Sequence, residues 1–182
     1  MRESLQRSRK ATAAAGTVTF LVLVPGAVAG VIPWLLTGWE MNDSPLAIRI
    51  AGAALVVGGT AFLLHAFARF IIEGIGTPAP IAPTERLVVG GVYRYVRNPM
   101  YLAVGATIAG QALLLGQWGL LGYAGLFLAV VATFVVTYEE PTLQRQFGAD
   151  YDAYRAAVPG WLPRLHPWDG ERLSSRAASA SG

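Results

Sequence analysis

Residues Gly90 to Tyr101, GGVYRYVRNPMY, set two arginines, three tyrosines, an asparagine and a proline directly ahead of the apolar run LAVGATIAGQALLL, with no polar spacer between them. Guanidinium groups hold carboxylates through charge-assisted hydrogen bonds, and tyrosine faces stack on flat rings. At a bilayer boundary such an aromatic and cationic collar would hold a polar ligand against a lipid-soluble one. A second group stands farther along, in TYEEPTLQRQFGADYDAYRAAVPGWLPRL. Its adjacent carboxylates, Glu139 and Glu140, lie at the foot of another apolar run, where an unmatched charge is costly. The arginines of the first group are the obvious partners. Pairing of Arg97 with Glu139 or Glu140 could simply join two helix ends, or the two groups could wall a ligand site. The surrounding tyrosines favour the site, because a plain clamp does not need them.

The elements that must position these groups are apolar. Of 182 residues, 54% are hydrophobic and 14% charged, against about 25% charged in an ordinary soluble domain. That deficit points to a bilayer, and the length suits a single domain. A formal charge of +3, scattered along the chain, gives no case for nucleic acid. The absence of cysteine excludes disulfides, thiolate metal sites and a cysteine nucleophile. With only His65 and His166, no metal centre is expected.

A hydrocarbon core about 30 Å thick needs roughly 20 apolar helical residues, and four stretches approach this: 17–36, 46–72, 100–115 and 120–138. The third is short and is joined to the fourth by GQWG, which predicts a tight antiparallel hairpin. Gly105 with Ala109, and Ala106 with Gly110, have the spacing that lets helix backbones approach closely, although an alanine-rich chain produces such pairs by composition alone. Basic residues crowd the N-terminal tail, the connection 73–99 and the C-terminal region, and are missing from EMNDSP and GQWG. That alternation predicts cytoplasmic termini in a plasma or other inner membrane. A cleaved signal ending at Ala27-Val28-Ala29 competes for the first span, but hydrophobicity continues to Leu36 and cleavage would break the alternation.

The prolines and glycines of EGIGTPAPIAPTERLVVGG predict a shaped strap or lid over the cytoplasmic mouth. Pro141 disfavours helical backbone at Glu140, so a kink or restart is expected there. Beyond it Leu143, Phe147, Tyr151, Tyr154 and Val158 mark one apolar helix face, which Gly148 could interrupt. This helix either lies along the membrane surface or folds back over a pocket. His65, Arg69 and Glu73 share a stripe of the second span. They could line an acceptor cavity with His65 as a base, although His65 more ordinarily satisfies a neighbouring backbone group. The segment 139–165 completes a unit of residues 1–168, and the small polar stretch 169–182 is expected to be disordered. The fold class expected is all-α integral membrane, with about four transmembrane helices and a C-terminal interfacial helix covering a cytoplasmic-side pocket.

Two blocks together resemble a known family. G-V-Y-R-Y-V-R-N-P-M-Y is similar to the G-P-Y-x-x-x-R-H-P-x-Y signature of the isoprenylcysteine carboxyl methyltransferases and their phospholipid methyltransferase relatives. E-E-P-x-L-x-x-x-F-G-x-x-Y-x-x-Y-x-x-x-V-P, Glu139 to Pro159, resembles the C-terminal motif of the same enzymes. The resemblance covers roughly the C-terminal half of the chain. It implies a membrane enzyme that uses S-adenosylmethionine on the cytoplasmic side and takes a lipophilic, small-molecule or prenylated acceptor from among the membrane lipids. It places Tyr93, Arg97, Asn98, Pro99 and Tyr101 near the cofactor, with Glu139 and Glu140 closing the site. Glu140, Arg97 and Asn98 become candidate catalytic residues, and His65, Arg69 and Tyr154 candidate acceptor-binding residues. Val92 stands in place of the family's proline, Asn98 in place of its histidine, and Gly160 where arginine is frequent. Asn98 can donate and accept hydrogen bonds but cannot titrate. In-line methyl transfer demands alignment and exclusion of water more than a proton carrier, so the missing histidine is tolerable. A nicotinamide-dependent membrane reductase of the sterol type and a non-catalytic helical scaffold are the competing readings.

Overall fold

The computed structural model describes residues 19, 23–74 and 87–170, without the side chains of 70–74. The basic N-terminal tail, most of the strap expected within 73–99 and the polar tail beyond Gly170 lie outside the described residues. Every regular element among the described residues is helical. The chain forms α1 (Leu23–Thr37), α2 (Leu46–Gly74), a 3-10 turn (Gly91–Arg94), α3 (Pro99–Leu115), α4 (Gly119–Phe134), α5 (Glu140–Phe147) and α6 (Ala149–Ala157). Two helical stretches are long and apolar enough to cross a bilayer: Leu46–Arg69 with 24 residues, and Gly119–Phe147 with 29, which joins α4 to α5. The apolar helices α1 and α3 are shorter.

Two prolines shape the bundle through widened turns. Pro33 has no N–H to offer the carbonyls one turn before it, those of Val28 and Ala29. The chain forms a π turn at Ala27–Val31. Tyr123 from α4 donates its hydroxyl to Val28 O at 2.9 Å, and Gln111 from α3 donates Nε2 to Ala29 O at 2.7 Å. The orphaned carbonyls of α1 therefore tie it to the hairpin. At Pro141 the expected kink gives way to a second π turn, Val135–Glu139. Glu140 keeps helical angles, φ −59° and ψ −47°, and its N–H reaches Val135 O. The extra residue widens the turn ahead of the proline ring, so the helix runs on and its face is re-aimed.

The hairpin predicted at GQWG is present. Gly116, in left-handed conformation at φ +67°, caps α3 with its N–H on Ala112 O. Helices α2 and α3 approach through glycine. A Cβ on Gly52 would meet Leu114 N at 2.3 Å, and one on Gly110 would meet Val56 N at 2.8 Å. Gly110 thus serves the close approach suggested by its spacing, with Gly52 of α2 opposite it, while Gly59 farther along α2 gives room to Ala103 and Thr107. Gly105 instead accommodates the Leu128 side chain of α4. Leu63, Phe67, Val104, Ile108, Ala112 and Leu120 form the core between these helices. A second core joins α5 and α6: Tyr151, Tyr154 and Val158 pack with Leu143, Phe147, Leu87 and Trp168. Gly148, at φ +53° and ψ −125°, makes the break between the two helices, as its position suggested.

Candidate functional site

Pro99 occupies the first turn of α3, where its missing N–H costs nothing. The chain ahead of it is held from outside rather than by its own helix. The strap that follows α6 runs alongside and pairs with it: Arg97 N to Pro159 O (2.9 Å), Asn98 N to Gly160 O (3.2 Å), Arg164 N to Tyr95 O (3.0 Å) and Trp168 N to Arg94 O (3.0 Å). Arg94 closes the far end, donating to Trp168 O and pairing with Asp169 at 2.7 Å. Asp169, assigned to the polar tail on sequence grounds, is thus part of the strap. The Tyr154 hydroxyl, buried, donates to Tyr93 O at 2.7 Å.

Within this frame Arg97 has three partners. Its Nε donates to Val158 O at 2.9 Å, and its Nη1 to Glu140 Oε1 at 2.6 Å and to the Tyr151 hydroxyl oxygen at 3.0 Å. The second oxygen of Glu140 meets Arg155 at 3.1 Å. Glu140 is 8% exposed, so its desolvation is offset by two guanidinium groups and charge-assisted bonds. Glu139, one position earlier and aimed differently by the π turn, accepts a bond from the Tyr101 hydroxyl at 2.9 Å. Burial pushes the Tyr151 and Tyr154 phenols up, with the nearby Glu140 carboxylate adding to the effect at Tyr151, so both stay neutral, Tyr151 accepting from Arg97 and Tyr154 donating to Tyr93 O.

Asn98 is 6% exposed, and its Nδ2 finds no hydrogen-bond acceptor among the described residues. A Cβ on Gly160 would stand 3.3 Å from Arg97 Nη2 and 3.4 Å from Asn98 Nδ2. The strap therefore passes these two donors with its one residue that has no side chain.

Two cavities meet here. The larger, about 170 Å³, has apolar walls from four helices, including Val28, Phe67, Val104 and Phe127, and a polar end made by Tyr101 and its neighbours. The smaller, about 90 Å³, is lined by Glu140 and Leu143 of α5, Tyr151 and Tyr154 of α6, and Val88. Tyr93, Arg97, Asn98 and Glu139 border both. The two sequence groups, separated by a helical hairpin, thus converge on one partition.

Of the residues singled out from sequence, Tyr93, Arg97, Asn98, Pro99, Tyr101, Glu139 and Glu140 come together at these cavities. Tyr154 joins them on the side of the smaller cavity and does not line the apolar one. Arg69 packs against the 3-10 turn, where a Cβ on Gly91 would come within 2.7 Å of its Nε. His65 is exposed on α2; neither it nor Arg69 lines either of these two cavities. Sequence reasoning missed Tyr151 and Arg155 as partners of the Arg97–Glu140 pair. Their signal was the four-residue spacing that puts both on one side of α6.

The family model described as phospholipid methyltransferase matches residues 47–150, from the start of α2 into α6. The Protein-S-isoprenylcysteine O-methyltransferase of Schizosaccharomyces pombe (strain 972 / ATCC 24843) is 35% identical over 79 residues, 43% of this chain and 34% of that protein. The chain thus spans about a third of the length of this relative. No solved structure matches. The matched range contains the first motif group, the second from Glu139 as far as Asp150, and more than half of the chain, and the chain belongs to the phospholipid methyltransferase family of membrane methyltransferases.

Proposed function

We propose that the protein is an integral-membrane enzyme that transfers a methyl group from S-adenosylmethionine to a lipophilic acceptor. The observation that carries this reading is the partition itself: an apolar cavity among the helices and a polar-walled one under α6 share Tyr93, Arg97, Asn98 and Glu139. In this reading α1 to α4 cross the bilayer, α6 and the strap cover the cofactor from the cytoplasmic side, both termini are cytoplasmic, and residues 1–168 act as one unit.

The residues present fit the cofactor. Arg97 Nη2 and the unsatisfied Asn98 Nδ2 would hold its carboxylate, since a buried amide donor without an acceptor is costly and awaits one. Glu139, which receives a bond from Tyr101, has acceptor capacity left for an ammonium or a ribose hydroxyl. Tyr93 and Tyr101 offer flat faces near the partition. Glu140 touches Arg97 and Arg155 and acts through Arg97 as a positioning residue. When bound, the cofactor supplies an electrophilic methyl on a sulfonium whose charge disappears during transfer. The chain's contribution is to align the acceptor in the apolar cavity and to exclude water, because a low-dielectric enclosure favours loss of charge. The family supports a lipid acceptor, and the S. pombe relative's name makes a prenylated cysteine carboxylate one candidate.

Purified protein in detergent or nanodiscs should bind S-adenosylhomocysteine in a calorimetric titration and not NADPH. Incubation with methyl-labelled cofactor and a membrane lipid extract should label a lipid fraction identifiable by mass spectrometry. Binding of NADPH, or of neither compound, would end this reading.

A further inference from the structure

The strap carries the most exposed large apolar side chains among the described residues. Leu162 is 80% exposed and Leu165 is 91% exposed. They belong to the loop Trp161 to His166, WLPRLH, in which Arg164 and His166 are the polar members. Its exposure is built into the backbone. Pro159, Pro163 and Pro167 stiffen the strap, and the pairing of Arg164 N with Tyr95 O pins the middle of the loop to the segment ahead of α3 while Leu162 and Leu165 on either side stay exposed. In α6, by contrast, Tyr151 and Tyr154 are buried against protein.

The loop's level relative to the bundle follows from its neighbours. At one end of the molecule Trp34, Trp39 and Trp118 are each about half exposed. The loops there are bound together by Asn42 N on Leu115 O and Gln117 Nε2 on Glu40 O. At the opposite ends of α3 and α4 stand Tyr95 and Tyr138, 37% and 45% exposed, and Trp161 stacks on Tyr101 in the first turn of α3 at 6.4 Å. Tryptophan and tyrosine concentrate at the two water boundaries of a bilayer. The loop therefore continues the second aromatic level, beside the polar end of the apolar cavity.

We infer that the loop Trp161 to His166 is an interfacial anchor, with Leu162 and Leu165 seated among the upper acyl chains, while half-buried Arg164 donates its Nη1 to Ala157 O at 2.8 Å and braces the loop from behind. The combination of aromatic and exposed aliphatic side chains on a short rigid segment suits that boundary. The anchor would fix the mouth of the apolar cavity at the depth where a lipophilic acceptor presents its polar end. The inference rests on the reading that the helices cross the bilayer, and its test separates the two.

The chain has no cysteine, so single labels can be placed without background. Leu162→Cys, Leu165→Cys and, as a control, Val57→Cys, which is 70% exposed along α2, are labelled with an environment-sensitive fluorophore and reconstituted into vesicles. The vesicles contain lipids bearing a nitroxide either high on the acyl chain or near its end. The loop labels should lose most of their emission to the shallow nitroxide and resist aqueous iodide, while the Val57 label responds to the deeper one. Iodide quenching of both loop labels with Val57 still quenched by lipid would overturn the anchor and leave the membrane bundle standing. Loop labels shielded from lipid and iodide alike would mean that protein covers them, which also overturns it. Labels unquenched by lipid at all three positions would remove the bilayer reading as well.

Discussion

Arg97 and Glu140 are 43 positions apart in sequence and 2.6 Å apart in space, the guanidinium donating to the carboxylate across the partition between the two cavities. Tyr151 shares the same nitrogen and Arg155 holds the other carboxylate oxygen. Both carboxylate oxygens of Glu140 are thus engaged by guanidinium groups within a buried cluster that borders the smaller cavity.

Replacing Glu140 with Gln keeps the shape and removes the charge. Breaking a buried pair on one side typically costs about 3–5 kcal/mol. Arg155 and Tyr151 soften that here, because an amide oxygen can still accept. Calorimetry should show S-adenosylhomocysteine binding weakened by tenfold or more, by about the 1.4 kcal/mol per decade of affinity, with the protein still extractable and monodisperse. Undiminished affinity would detach Glu140 from the site.

Asn98 supplies the opposite test. Its Nδ2 has no protein acceptor among the described residues, so Asn98→Ala removes an unmet donor and should leave the thermal midpoint unchanged or slightly higher. The same change should cost binding of S-adenosylhomocysteine about one to two orders of magnitude, the worth of a hydrogen bond to a charged group. A lower midpoint with unchanged binding would assign Asn98 to structure alone.

Close backbone approach makes two nearby glycines unequal. Gly52→Ala drives a Cβ into Leu114 N and Gly110 O and should destabilise the α2–α3 contact by about 1–3 kcal/mol or more. Gly58→Ala meets no atom of the described residues within 4 Å and should be neutral or gain up to about 1 kcal/mol from helix propensity. Thermal unfolding in detergent distinguishes them.

The Pro33 and Gln111 relationship predicts coupling. Gln111→Leu strips Ala29 O of its donor and should cost about 1–3 kcal/mol. In a Pro33→Ala background the restored N–H can serve α1, so the penalty should shrink. Additive losses in the double-mutant cycle would show that the glutamine is not compensating for the proline.

Alkali should loosen the C-terminal cap. The Tyr151 and Tyr154 phenols are raised in the folded protein, chiefly by burial, while the unfolded chain ionises near the ordinary value of about 10. Their neutral forms therefore contribute stability that is complete below about pH 10 and is lost as pH rises toward their folded values. The double variant Tyr151→Phe and Tyr154→Phe should show a shallower loss of stability above that point, measured by denaturation at a series of pH values.

Composition and apolar run lengths mark the bundle because hydrophobicity summed over a helix is a local quantity. The hairpin at GQWG and the break at Gly148 were legible for the same reason: a glycine in left-handed conformation acts within one turn. Motif spelling brought Arg97, Asn98 and Glu139 together in expectation, but by resemblance rather than by periodicity. Pro141 misled, since its penalty was judged against an α turn and the chain adopted a π turn instead. His65 shares a stripe with Arg69, yet neither lines either of the two cavities.

The sequence by itself determined a helical, lipid-suited chain with cationic and acidic groups at adjacent helix ends. Only tertiary structure decided that the strap after α6 returns to residues 94–98, that Val158 O and Tyr151 complete the shell of Arg97, and that Asn98 Nδ2 meets no acceptor among the described residues. The reason is distance along the chain. Helix periodicity and turn chemistry act over a few residues, whereas these bonds join groups 54 and 61 positions apart, whose meeting depends on how every intervening helix packs.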